Sequence, residues 1–166
     1  CGLSPEIIQR GISAFRAVPG RFELIHEGQD FAVVVDYAHT EDALARLLAA
    51  AHILKKGRII TVFGCGGDRD KAKRAPMARI SGAIADHVIV TDDNPRTEDP
   101  AQIRKDVMVG FAAAEEIAGR AAAIRKAVQM LGEKDILLVA GKGHEQGQTI
   151  GREVIPFDDI EEGKKA

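Results

Sequence analysis

The sequence predicts an α/β fold in which a doubly wound, mostly parallel sheet carries helices on both faces. From residue 22 onward, short apolar runs alternate with longer amphipathic segments, which is the pattern of strand–helix units. The run at residues 31–35 is apolar at every position, as is typical of a strand covered on both faces. Polar motifs follow the predicted strands, and ligands bind at that end of the strands in such sheets.

The individual elements follow in order along the chain. Ser4 and Pro5 open a helix over residues 4–15, because serine caps helices and proline suits their first turn. Thr40 caps a second helix, rich in Ala and Leu, over residues 41–54. The remaining predicted elements are strands at residues 22–26, 31–35, 58–63, 87–91, 135–140 and 153–156, and helices at residues 71–85, 100–113 and 120–131.

Composition argues against several classes of protein. The chain has 166 residues, of which 45% are hydrophobic and 29% charged, as expected for one globular domain. Its net charge of −2 argues against a nucleic-acid partner held by overall charge. No apolar run approaches the roughly 20 residues of a membrane span. The cysteines, Cys1 and Cys65, form neither a disulfide framework nor a paired metal motif, which favours a reduced, cytoplasmic setting.

A domain boundary is predicted where the first helix stops. Val18, Pro19 and Gly20 break the helical pattern, and the composition changes there. We therefore assign residues 1–18 to the trailing helix and hinge of a preceding domain, and residues 19–166 to a domain of their own. Because the first residue is a cysteine rather than a methionine, we expect the sequence to be a piece of a longer polypeptide.

The most informative motif is Asp93-Asn94-Pro95-Arg96, which follows the predicted strand at residues 87–91. Pro95 fixes its own φ and biases Asn94 toward extended conformations, so the flanking side chains are held in place. Arg96 can bind a carboxylate through two parallel hydrogen bonds, and Asp93 can pair with an ammonium. The motif therefore suits a zwitterion such as an amino acid. The alternative is an ordinary surface turn.

Two glycine-containing loops admit two interpretations each. Residues 64–71 match neither the phosphate-loop nor the dinucleotide-binding pattern. They either bind an anion or carboxylate, or form a tight turn with solvated charges. Residues 141–145 form either a flexible, hairpin-like loop or a rim where backbone carbonyls and Glu145 accept hydrogen bonds from a ligand ammonium.

Three further residues also have a functional and a local interpretation. Asp36 ends a predicted strand, where an acid can bind ribose hydroxyls, but its carboxylate can equally be satisfied by its own surroundings. Arg21 is by default a solvated arginine. Cys65 is interpreted as a small packing residue rather than a nucleophile, since the sequence indicates no partner base.

Taken together and in this order, five motifs resemble the carboxy-terminal domain of the Mur ligase family. The motifs are Val-Pro-Gly-Arg at 18–21, Val-Asp-Tyr-Ala-His-Thr at 35–40, Phe-Gly-Cys-Gly-Gly-Asp-Arg-Asp at 63–70, Asp-Asn-Pro-Arg at 93–96 and Gly-Lys-Gly-His-Glu at 141–145. The resemblance runs from about residue 3 to 157. It implies a Rossmann-like domain that follows a UDP-sugar domain and a central ATPase domain in an ATP-dependent, peptide-forming ligase.

Within the family, the motifs are most similar to those of members that add meso-diaminopimelate to UDP-N-acetylmuramoyl-L-alanyl-D-glutamate. This resemblance implies that Arg96 holds the distal carboxylate of diaminopimelate, and that the Gly141 carbonyl and Glu145 hold its distal ammonium. The full set of residues implied for diaminopimelate is Arg69, Asp93, Asn94, Arg96, Gly141 and Glu145.

The resemblance also implies the ATP contacts. Arg21 would reach the terminal phosphate, Asp36 the ribose, and His39 the region of the adenine. The family's phosphate loop and Mg²⁺ ligands belong to the central domain, so we expect no metal site here and no ligase activity from this piece alone. No catalytic residue is assigned, and this domain is expected to contact the central domain of the same chain.

Three alternatives stay open at this point. A lysine-adding or other Mur-type ligase, or a folylpolyglutamate synthetase relative, would share the fold but not the motif at residues 93–96. The domain could also be a non-catalytic module that binds an amino acid or a nucleotide.

Overall fold

The computed structural model describes residues 2–14 and 18–166. The helices are α1 (Pro5–Ala14), α2 (Glu41–Leu54), α3 (Arg74–Ile84), α4 (Pro100–Met108), α5 (Arg120–Gln129) and α6 (Asp159–Lys165). The strands are β1 (Glu23–Ile25), β2 (Ala32–Asp36), β3 (Ile59–Phe63), β4 (His87–Val90), β5 (Glu115–Glu116), β6 (Ile136–Ala140), β7 (Gly147–Ile150) and β8 (Glu153–Pro156).

The main sheet has six strands in the order β1-β2-β6-β3-β4-β5, all parallel except β1. β6 lies between β2 and β3, so the residues that end these strands are neighbours. Ala140 pairs with Asp36 on one side and with Phe63 on the other, and Val90 is the partner of Phe63. The four polar motifs that follow β2, β3, β4 and β6 therefore begin side by side.

Helices cover both faces of the sheet, as predicted. α2, α3 and α4 pack on one face through residues such as Leu48, Met77 and Val107. α5 and α6 pack on the other face through residues such as Ile124 and Ile160. Both faces of the central strands are buried, which explains why β6 is apolar throughout and β3 is apolar at every position except Thr61. The predicted fold class is confirmed.

Several predicted elements are confirmed in detail. α2 has the predicted bounds, and the hydroxyl of Thr40 accepts a hydrogen bond from the Ala43 amide at 3.3 Å, which is the expected cap. The first helix begins at Pro5, but its predicted end at Phe15 lies outside the described residues. Among the described residues, none of the helices is long and apolar enough to cross a membrane.

The helix predicted over residues 100–113 is wrong at its end, because α4 stops at Met108. Gly110 lies so close to α3 that a Cβ there would be 1.9 Å from the Ala75 carbonyl oxygen, so the chain turns at this point. Beyond the turn, Phe111 packs against Gly82, where a Cβ would be 2.4 Å from the ring. Tertiary packing, not helix propensity, ends α4.

Three short elements were not predicted. β5 has only two residues, too few to show a pattern. β7, at residues 147–150 where no element was predicted, pairs with the predicted β8 in an antiparallel hairpin. The charged end of the chain forms α6, capped by the Asp158 carboxylate, which accepts hydrogen bonds from the Ile160 and Glu161 amides.

Candidate functional site

A cavity of about 400 Å³ opens at the carboxyl ends of β2, β3, β4 and β6. It brings together the loops that follow these strands, although they are far apart in sequence. Seven of the nine predicted site residues line it: His39, Arg69, Asp93, Asn94, Arg96, Gly141 and Glu145. The two others, Arg21 and Asp36, do not belong to this lining. A second cavity, of about 480 Å³, lies near the amino ends of β2 and β6 and contains none of the nine.

Arg96 enters this cavity from a strained backbone position. Its φ is +51°, in the left-handed region that non-glycine residues rarely adopt. The hairpin holds it there: the Arg96 amide donates to the Thr149 carbonyl at 3.1 Å, and the Gly151 amide donates to the Arg96 carbonyl at 2.7 Å. The Nη1 of Arg96 donates to the Gly67 carbonyl at 2.8 Å. The guanidinium is therefore anchored at one corner, and its fork geometry suits a ligand carboxylate.

The acidic side of the cavity is a connected network. Asn94 Nδ2 donates to Glu145 Oε2 at 3.0 Å, and the Thr149 amide donates to Asn94 Oδ1 at 2.9 Å. Asp93 and Asn94 are both buried, each with 8% of its surface exposed. The cavity thus presents arginines and carboxylates together, which is the arrangement that a zwitterion needs.

Sequence reasoning missed Lys142, which lies between two glycines of the 141–145 motif. Its ammonium donates to Asn94 Oδ1 at 2.9 Å and to Glu145 Oε2 at 3.2 Å, and it lies 3.5 Å from Asp93 Oδ1. The available signal was a lysine two residues after the end of an apolar strand, with an acid three residues later. Such a lysine is more often exposed, so the signal is weak.

The glycine-containing loop at residues 64–71 is tied to the Asp93–Arg96 motif. The Gly67 amide donates to the Asn94 carbonyl at 2.9 Å, and the Asp68 carboxylate accepts from the Thr97 amide at 3.1 Å. In addition, the Glu98 carboxylate accepts a hydrogen bond from the Asp68 amide at 2.7 Å. The two loops therefore form one unit, which places Arg69 beside Arg96 on the cavity wall.

Glu98 is the electrostatic centre of this unit. Lys71 donates to it at 2.9 Å and the buried Arg74 at 3.1 Å. The Lys71 ammonium, the Asp68 amide and the Arg74 guanidinium lower the pKa of Glu98 from 4.5 to about 2. These groups stabilise the carboxylate form, so they resist its protonation.

Lowering the pH should therefore weaken the fold through Glu98. A carboxylate whose pKa is lower in the folded state contributes stability that is complete above about pH 4.5 and is lost as the pH falls toward 2. We expect Glu98→Gln to lower the urea midpoint at pH 7 and to reduce its dependence on pH between about 4.5 and 2. The matched control is Glu133→Gln, since that side chain is 67% exposed. Equal pH profiles for Glu98→Gln and the unmodified chain would contradict this role.

Two of the residues predicted to contact ATP, Arg21 and His39, lie around Tyr37, which lines the cavity as His39 does. The Arg21 guanidinium lies 4.4 Å from the centroid of the Tyr37 ring. The ring centroids of His39 and His144 lie 4.6 and 5.5 Å from the same centroid. Gly20 brings this segment against the 141–145 loop, since a Cβ there would be 2.1 Å from the His144 amide nitrogen. The guanidinium of Arg21 could bind a phosphate, and the aromatic rings beside it could stack on a base.

Asp36 is satisfied by its own surroundings. Its two carboxylate oxygens accept hydrogen bonds from the Phe22 and Ala38 amides, both at 2.7 Å. This supports the local interpretation of Asp36, and its contact with a ribose stays a prediction. Cys65 has the predicted packing role, because burial raises the pKa of its thiol to about 12 and its sulfur lies 3.8 Å from that of Met77. Within residues 2–14 and 18–166, no three His, Cys, Asp or Glu side chains cluster as metal ligands would.

Comparison with known proteins identifies a family. The family profile described as "Mur ligase, glutamate ligase domain" matches residues 20–143. Among curated relatives, the "UDP-N-acetylmuramoyl-L-alanyl-D-glutamate--2,6-diaminopimelate ligase" of Solibacter usitatus (strain Ellin6076) is 50% identical over 95% of this chain and 33% of its own length. The protein of the same name from Coxiella burnetii (strain RSA 493 / Nine Mile phase I) is 49% identical over 93% of this chain and 32% of its own. The chain thus spans about a third of the length of the curated relatives it matches.

Comparison with solved structures supports the same family. A structure described as "UDP-N-acetylmuramoyl-L-alanyl-D-glutamate--2, 6-diaminopimelate ligase" superposes with a TM-score of 0.83 at 38% identity, covering 99% of this chain and 34% of that one. A bifunctional folylpolyglutamate synthase/dihydrofolate synthase from Yersinia pestis shares the fold, with a TM-score of 0.70 at 22% identity, covering 87% of this chain and 33% of that one. On the family match and this structural agreement, the chain belongs to the Mur ligase family.

Proposed function

We propose that this chain is the amino-acid-binding domain of a longer, ATP-dependent ligase of peptidoglycan precursor synthesis. The ligase would add meso-diaminopimelate to UDP-N-acetylmuramoyl-L-alanyl-D-glutamate. The observation that carries the proposal is the convergence of Arg96, Asp93 and Glu145 on one cavity, in a chain whose relatives are described as diaminopimelate ligases.

The cavity offers separate partners for the two charges at the distal end of diaminopimelate. Arg96, assisted by Arg69, receives the distal carboxylate. Glu145 and the carbonyl of Gly141 receive the distal ammonium. Lysine has this ammonium but no distal carboxylate, so lysine would leave Arg96 without a charged partner in a closed site. That is unfavourable, and it gives the domain a basis for discrimination.

ATP and a divalent cation, Mg²⁺, are the proposed partners in the chemical step. Arg21, Asp36 and His39 contact the nucleotide, and the Tyr37 ring beside Arg21 adds an aromatic face. The described residues supply no metal-ligand cluster, so the Mg²⁺ ligands are assigned to the central domain of the full-length protein.

The chemistry that fits this set of substrates is acyl transfer through phosphate. The γ-phosphoryl group of ATP passes to the side-chain carboxylate of the D-glutamate residue, giving an acyl phosphate and ADP. The amine of diaminopimelate then attacks the acyl carbon and expels phosphate. This domain contributes by holding the amine in reach and closing over the nucleotide, which lowers the barrier through proximity.

Contact with the rest of the ligase is proposed through α1. Every residue of this helix is exposed, including the large apolar side chains Ile7, Ile8 and Ile12. An apolar helix face of this kind is normally covered. We assign it to the preceding central domain, with residues 18–20 as the hinge, in a cytoplasmic enzyme.

The direct test is substrate use by the full-length protein. Phosphate release from ATP, with UDP-N-acetylmuramoyl-L-alanyl-D-glutamate present, should depend on meso-diaminopimelate and should be far slower with lysine. Preference for lysine would support a lysine-adding ligase, and preference for glutamate with a folate acceptor would support a folylpolyglutamate synthetase. Binding of an amino acid without any turnover would support a non-catalytic module.

The isolated 166-residue chain is expected to have no ligase activity. The sequence contains no Gly-x-x-x-x-Gly-Lys-Ser/Thr phosphate loop, and the described residues form no metal-ligand cluster. The measurement is phosphate release with ATP, Mg²⁺ and both other substrates present, against the full-length protein as positive control. Turnover by the isolated chain above the rate without protein would contradict the assignment of the chemistry to another domain.

A further inference from the structure

Lys142 lies behind the cavity wall rather than in the cavity. Its side chain is 0% exposed, and it does not belong to the cavity lining, although Gly141 and Glu145 do. Burying an ammonium is unfavourable unless its charge and its protons are matched. The three groups that match it are Asp93, Asn94 and Glu145, which are themselves predicted to contact the ligand.

The ammonium lies among three acceptor oxygens. It donates hydrogen bonds to Asn94 Oδ1 at 2.9 Å and to Glu145 Oε2 at 3.2 Å, and it forms an ion pair with Asp93 Oδ1 at 3.5 Å. Each carboxylate therefore turns one named oxygen toward Lys142 and keeps its other oxygen for a different partner. Asp93 Oδ2 lies on the side of Gly141, where a Cβ would be 3.1 Å from it.

We propose that Lys142 is a positioning residue that makes this cavity selective for one ligand ammonium. It acts through Asp93 and Glu145 and does not touch the ligand. The proposal rests on the proposed function, because the ligand is taken to carry a distal ammonium.

The net charge of this cluster also supports selectivity for one ligand ammonium. The carboxylates of Asp93 and Glu145 with the ammonium of Lys142 carry a net charge of −1, which one ligand ammonium neutralises. The nearby Arg120 does not alter this balance, since the carboxylate of Asp159 holds its guanidinium at 2.7 Å. Without Lys142, the buried carboxylate of Asp93 and the half-buried carboxylate of Glu145 would lose the cation that they share and that orients one oxygen of each.

The experiment compares two amino acids in the full-length ligase. meso-Diaminopimelate has the distal ammonium and the distal carboxylate, whereas 2-aminopimelate has only the distal carboxylate. We expect Lys142→Met to raise KM for meso-diaminopimelate about tenfold or more and to change KM for 2-aminopimelate less than about threefold. Lys142→Gln keeps N–H donors without the charge, and it replaces Lys142→Met if that variant does not fold. It too should raise KM for meso-diaminopimelate and change KM for 2-aminopimelate little.

The control is Lys164→Met, which removes an exposed lysine that also pairs with a glutamate three residues away, at 3.1 Å, but does not belong to the cavity lining. It should leave both KM values unchanged. General damage to the loops would raise KM for both amino acids alike, since both need Arg96. Equal rises, or an unchanged ratio of the two KM values in a folded variant, would overturn the role of Lys142. If the unmodified ligase does not use meso-diaminopimelate, the proposed function itself fails, and this proposal with it.

Discussion

Replacing Arg96 with alanine in the full-length ligase is expected to raise KM for meso-diaminopimelate about 100-fold. Removing one partner of a buried, hydrogen-bonded charge pair costs roughly 2–5 kcal/mol, and about 1.4 kcal/mol corresponds to a factor of ten. The same change should improve the binding of lysine, because the distal end of lysine no longer faces an unpaired guanidinium. Selectivity for meso-diaminopimelate over lysine, measured as the ratio of kcat/KM values, should therefore fall by a similar factor.

A second variant separates charge from shape at this position. Arg96→Lys keeps the positive charge but loses the planar fork that can bind a carboxylate with two hydrogen bonds. We expect it to recover only part of the selectivity. Arg46→Ala is the control, since Arg46 is 79% exposed on α2 and pairs with Asp42, one helical turn away. Unchanged discrimination against lysine in Arg96→Ala would contradict the assignment of the distal carboxylate to this residue.

The sequence was sufficient to predict the sheet and the meeting of the polar motifs at one edge of it, because both depend on local patterns. Apolar runs such as residues 136–140 are buried on both faces, so their pattern is unambiguous. The polar motifs directly follow such runs, and the carboxyl ends of parallel strands meet at one edge. The convergence of Arg96, Gly141 and Glu145 on one cavity thus follows from strand order.

What the sequence could not supply were contacts between residues far apart in the chain. Lys142 reads as a loop lysine, and its burial is explained by contacts with residues distant in the sequence, such as Asn94, 48 residues away. The left-handed backbone at Arg96 depends on the hairpin that contains Thr149, which no local pattern near residue 96 indicates. α6 was missed for the same reason: its residues look like a charged terminus, and its anchor lies on α5.

The second large effect that we expect is on stability, and it concerns this pair of Arg120 and Asp159. The Asp159 carboxylate accepts two hydrogen bonds from Arg120, from Nε and from Nη2, both at 2.7 Å, and both side chains are 0% exposed. Arg120 Nη2 also donates to the Ala140 carbonyl at 2.9 Å, directly before the 141–145 loop. The pair therefore joins α6, α5 and the end of β6 at one edge of the site.

Asp159→Ala should destabilise the 166-residue chain by about 3–5 kcal/mol, because it leaves the Arg120 guanidinium buried without a counterion. For a domain of this size that corresponds to a fall in Tm of roughly 10 °C, measured by thermal unfolding. Asp42→Ala removes a carboxylate from an exposed pair with Arg46 and should change stability by less than about 1 kcal/mol. A double variant, Arg120→Met with Asp159→Leu, should recover much of the loss, since it removes the unpaired charge and refills the space. Similar effects of Asp159→Ala and Asp42→Ala would show that α6 does not depend on this pair, whereas a large loss that the double variant reverses would establish that the charged end of the chain is held by one buried contact.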